Sequence, residues 1–60
     1  MKKEYKLKVF YPGSGDSYNV DIQARSYSLS HISITFYDSQ GDTIAVYPAN
    51  LTIIKSIHTL

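Results

Sequence analysis

Apolar and polar residues alternate one for one along most of this chain, and that rhythm confines it to β structure. In Tyr5-Lys6-Leu7-Lys8-Val9-Phe10-Tyr11 the odd positions are apolar, and Lys6 and Lys8 punctuate them. Tyr18-Asn19-Val20-Asp21-Ile22-Gln23-Ala24-Arg25 repeats the pattern, with Tyr18, Val20, Ile22 and Ala24 on one face. Between the two runs, Pro12-Gly13-Ser14-Gly15-Asp16 is a dense turn cluster, so they read as an antiparallel hairpin.

Ser26-Tyr27-Ser28-Leu29-Ser30-His31 still alternates, but serine favours turns over strands, so this stretch is expected to be a bend or bulge. Ile32 to Tyr37 reads as a third strand, with Ile32, Ile34 and Phe36 inward. Asp38-Ser39-Gln40-Gly41-Asp42 is a tight loop in which Asp38 can bond backbone two residues on and Gly41 can turn left-handed. Thr43-Ile44-Ala45-Val46-Tyr47 is the fourth strand, expected to turn Ile44 and Val46 inward. Pro48 fixes φ and cannot donate to a ladder, so residues 48–51 should be a short turn. The tail to Leu60 has helical spacing at Ile53, Ile57 and Leu60. Its β-branched residues (Thr52, Ile53, Ile54, Ile57, Thr59) argue instead for a fifth strand. The fold expected is all-β: a small five-stranded antiparallel barrel or strongly curved sheet, residues 1–60 forming one domain.

Sixty residues without cysteine exclude a disulfide framework and cysteine-based zinc. No apolar run approaches the roughly 20 residues that span a bilayer, and no apolar segment follows Lys2 and Lys3. A non-secreted, cytoplasmic chain that avoids membranes is therefore expected. Six tyrosines and two phenylalanines supply what disordered chains lack. A folded chain of this size holds roughly 3–9 kcal/mol of stability, which must come from one core or from that core extended by self-association.

Tyr47-Pro48-Ala49-Asn50-Leu51, followed by Thr52-Ile53-Ile54, resembles the end of an SH3-like barrel, where a tight helical turn separates the last two strands. The likeness covers the last quarter of the chain and the five-strand order. It implies an SH3-like fold but not a proline-peptide groove, because the tryptophan of true SH3 domains and its accompanying acidic loop are missing. Phe36-Tyr37-Asp38-Ser39-Gln40-Gly41-Asp42-Thr43-Ile44-Ala45-Val46-Tyr47-Pro48-Ala49, with Ile53-Ile54-Lys55-Ser56-Ile57 after it, also resembles short proteins of phage and prophage genomes. That second likeness implies an origin and a size class.

Chemistry is poorly supplied. A nucleophile needs a base within reach and an orienting group, and no spacing joins His31 or His58 to either. Paired-carboxylate chemistry needs two acids across a cleft. Glu4 lies near the chain start and Asp16, Asp38 and Asp42 in turns. Asp21, mid-strand, faces solvent. The histidines are too separated for a metal motif, and the glycines lack the lysine and helix of a phosphate loop. Asn50-Leu51-Thr52 matches a glycosylation sequon incidentally. No enzyme activity, cofactor or metal is expected.

What remains is the outward face. The alternation points Lys6, Lys8, Phe10, Gln23, Arg25, Thr35, Tyr37 and Tyr47 away from the core. Lys6, Lys8, Phe10, Arg25, Tyr37 and Tyr47 form the expected contact surface. Tyrosine and arginine favour a protein partner. Aromatics among cations also suit single-stranded nucleic acid, although a net charge of +1 is low for that role. The third reading is a structural or assembly interface with another copy. The expectation is a small non-enzymatic binding module, an accessory or inhibitor of phage or mobile-element origin.

Overall fold

A computed structural model describes residues 2–60. It is all-β, with six strands and one short 3-10 turn: β1 (Lys3–Phe10), β2 (Ser17–Ala24), β3 (Ser26–Leu29), β4 (Ser33–Tyr37), β5 (Thr43–Pro48), η1 (Ala49–Leu51) and β6 (Thr52–Thr59). They form two three-stranded antiparallel sheets, ordered β2-β1-β6 and β3-β4-β5. The first hairpin, the turn before the last strand and the final strand stand as expected. The strand count does not, with six strands among the described residues, and of the two architectures expected the closed barrel is not formed.

The sixth strand is the serine-rich stretch. Ser26 and Ser28 pair with Tyr37 and Thr35 on the outer side of the second sheet, and Ser28 shares a hydrogen bond of 3.0 Å with the Tyr37 hydroxyl. Tyr27 turns inward, its ring 5.4 Å from Tyr5. Two inward partners and a hydroxyl pair offset the weak strand preference of serine. Only Arg25 separates β2 from β3, and its N–H already bonds the Tyr37 carbonyl of the second sheet.

The sheets meet through their inner faces. Tyr5, Leu7 and Val9 of β1, Ile22 and Ala24 of β2, and Ile34 and Phe36 of β4 form the core. Tyr5 and Phe36 meet edge to face at 5.2 Å, linking one sheet to the other. The strand expected to turn Ile44 and Val46 inward does the reverse: Val46 is 57% exposed and Ile44 lies open, while Ala45 and Tyr47 pack on the core. Register decides this. Directly paired residues share a face, and Phe36 pairs with Ala45 and Ile34 with Tyr47. Ile32, also expected inward, stands in the β3–β4 turn, and its strand starts one residue later at Ser33.

The Asp38–Asp42 turn forms as its letters suggest. The Asp38 carboxylate accepts from the N–H of Gln40 and of Asp42, both at 2.9 Å, and Gly41 takes φ +83°. At the other junction, the Thr52 hydroxyl is buried without a hydrogen-bond partner. Thr52→Val keeps the shape and removes the unpaired group, so it should stabilise the fold by about 1 kcal/mol. For a chain of this size that raises the melting midpoint by about 4–8 °C, read by thermal circular dichroism.

Burial, with the neighbouring Tyr27 phenol as a second cause, raises the Tyr5 hydroxyl pKa above its ordinary value. The unfolded chain then gives up this proton first. The contribution to stability is whole below about pH 10 and is lost as pH climbs beyond it. Urea midpoints should fall with rising pH in the alkaline range, and Tyr5→Phe should flatten that fall.

Candidate interaction surfaces

The six residues expected to share a surface are divided. Lys6, Lys8 and Phe10 do lie together on the outer face of the first sheet, from alternate positions of β1. Lys6 Nζ is held by the Asp21 carboxylate at 3.5 Å and by Glu4 at 3.7 Å, and Lys8 Nζ lies 5.5 Å from the Phe10 ring centroid. Arg25 is at the bend between sheets, its guanidinium donating to the Ser39 carbonyl at 3.3 Å. Tyr37 belongs to the outer face of the second sheet. Tyr47 is not on any outer face: it packs inward, its ring 6.4 Å from Phe36. A two-sheet packing has two outer faces directed away from each other, so the expected patch cannot be continuous.

Asp21 is exposed in mid-strand and Asp38 caps its turn. His31 and His58 are exposed, on the β3–β4 turn and on β6. Among the described residues no three acidic or histidine side chains group as a metal site would require. No helix among the described residues is long and apolar enough to cross a membrane.

A different surface emerges from the pairing. Leu29 at the end of β3 pairs with Ile34 near the start of β4, and Ser33 pairs with Pro48 at the end of β5. The Ala49 N–H at the start of η1 bonds the Ile32 carbonyl at 3.1 Å. Thr52, just after η1, pairs with Val9, and Val9 pairs with Tyr18 at the start of β2. One rim of the molecule is thereby traced from strand end to strand end. Along it stand Ile32 at 74% exposure, Leu29 at 68% and Tyr11 at 52%, with Tyr18 more than one-third open. Tyr11 and Tyr18 lean on each other at 5.1 Å between ring centroids, beyond the end of the covered core. The Tyr11–Tyr18 pair stands at the β2 end of that trace and Leu29 and Ile32 at its β3 end, two sets of large apolar groups held in water, and such groups mark interaction surfaces.

Sequence reasoning misses this rim because alternation places Ile32 and Tyr18 on inward faces and leaves Tyr11 at a strand end. The available signal is an apolar residue one step outside each strand, beside a turn cluster, where no opposing sheet remains to cover it. Compared with known protein families, curated proteins and solved structures, the chain matches none.

Proposed function

We propose that the protein is a non-enzymatic binding module that engages a protein partner through the Tyr11–Tyr18–Leu29–Ile32 rim. The observation that carries this reading is the exposure of four large side chains along one rim, Tyr11 and Tyr18 beside β2 and Leu29 and Ile32 beside β3. Tyrosine and isoleucine at a water-filled edge gain more from a partner than from solvent, and a few such anchors carry most of the energy of an interface. An SH3-like architecture accords with the strand order. Taken as one bent strand, β2 and β3 leave five strands, with η1 before the last. The resemblance to phage and prophage proteins supports an accessory or inhibitory role of mobile-element origin.

The test is capture of binding proteins from a bacterial host by the tagged chain, compared with a Tyr11→Ala/Ile32→Ser variant. The variant should fold with the same melting midpoint and lose at least about tenfold in affinity for the captured protein, as anchor residues do. An unchanged set of captured proteins with unchanged affinity overturns the assignment of the rim.

A further inference from the structure

The outer face of the first sheet has a feature the rim does not use. It presents Lys6 and Lys8 from β1, Asn19 and Asp21 from β2, and Lys55 from β6. Charge is distributed unevenly across it. Lys6 lies between the carboxylates of Asp21 and Glu4, which outnumber it by one charge, whereas neither Lys8 nor Lys55 forms an ion pair among the described residues. Both of these converge on Asn19. Lys8 is its direct cross-strand partner, and the Lys55 ammonium reaches across β1 to donate to the Asn19 amide oxygen at 2.9 Å. Lys55 gains that reach from a register shift: Leu7 pairs with Ile54 and Lys6 with Ser56, so Lys55 has no cross-strand partner. Phe10, two residues beyond Lys8 on the same face, stands diagonal to Asn19 and is partly open.

We infer that this face binds the phosphodiester backbone of a single-stranded nucleic acid, Lys8 and Lys55 meeting phosphates and Phe10 serving as a stacking platform. Two ammonium groups that form no ion pair leave this face with a net positive charge at its Lys8–Lys55 end, complementary to a polyanion, which releases condensed counterions when they neutralise its phosphates. The absence of a pocket on this face, among the described residues, selects the kind of anion. The face has no walls to desolvate a lone phosphate or carboxylate, and two exposed charges in water hold a small ion weakly. A polymer supplies successive phosphates to both ammonium groups and a base to the ring between contacts, the combination by which sheets bind single strands. The near-neutral total charge confines this binding to the one face and makes it modest and salt-sensitive.

Fluorescence anisotropy of a labelled oligothymidylate with the full chain tests the inference. Binding is expected at low salt, with log K falling linearly as log salt rises. Lys8→Ala/Lys55→Ala should weaken binding by about tenfold or more and reduce the salt slope by about 1.4, the value for two phosphate contacts on a single strand. Phe10→Leu, which keeps an apolar group at this partly buried position, should cost about fivefold or more and leave the slope unchanged. The rim variant Tyr11→Ala/Ile32→Ser should bind the oligonucleotide as the parent does, which separates this site from the proposed protein-binding surface. Circular dichroism checks that each variant keeps its strands. No binding at low salt overturns the inference, as does a lysine pair whose replacement changes nothing. Equal affinity for heparin or anionic vesicles, with Phe10→Leu indifferent, overturns it too, because only charge would then be recognised.

Discussion

Phe36→Ala is expected to abolish cooperative folding or to lower the melting midpoint by at least about 12 °C. The Phe36 side chain has no solvent exposure, and its ring meets Tyr5 at 5.2 Å, Tyr27 at 6.0 Å and Tyr47 at 6.4 Å. Those three neighbours come from β1, β3 and β5, so the ring ties both sheets together. Truncating a buried phenylalanine costs about 3–5 kcal/mol, from lost transfer energy and from the cavity left behind. A chain of this length holds roughly 3–9 kcal/mol altogether, so the loss takes at least about a third of it and, at the low end, all of it. Thermal circular dichroism or urea titration reads the result. A loss below about 1 kcal/mol would mean that the inner faces do not share one core.

Leu7→Ala should have the second-largest effect, about 2–5 kcal/mol, because Leu7 is wholly buried at the middle of the central strand of its sheet. Its cross-strand partners, Val20 and Ile54, also pack on the core, so neither flank offers a side chain free to fill the gap. Val46→Ala on β5 is the informative contrast. It removes an aliphatic group of similar kind from an outer face and should change stability by no more than about 0.5 kcal/mol. Comparable losses for the two variants, by urea titration, would mean that β5 turns its other face to the core.

That contrast also marks where the letters suffice to read the fold and where they do not. From Glu4 to Val9 of β1 and along β2, charged and polar residues occupy one parity and apolar residues the other, so the alternation by itself identifies the buried face. The turn at residues 48–51 is legible from Pro48, and β6 from its β-branched residues. Ile44-Ala45-Val46-Tyr47 is apolar at both parities, and period alone cannot choose between its faces. The choice comes from the pairing with Phe36 and Ile34, a long-range fact. The misplacement of Tyr47 follows from the same ambiguity. Serine-rich β3 is hidden because its stability comes from Tyr37, Tyr5 and Phe36, all distant in sequence. Which strands share a sheet is equally non-local, and for that reason alternation groups Lys6, Lys8 and Phe10 correctly among themselves but wrongly with Tyr37.

The unpaired position of Lys55 bears on how this molecule can change over generations. A codon inserted or lost there leaves Ile54 opposite Leu7 and Ser56 opposite Lys6, so the sheet need not be rethreaded. Most single-residue indels in a strand invert every side chain beyond them and are purged. This one adds or withdraws a positive charge while the greasy interior stays as it was, giving descendants of the gene a route to alter the charge of that face alone.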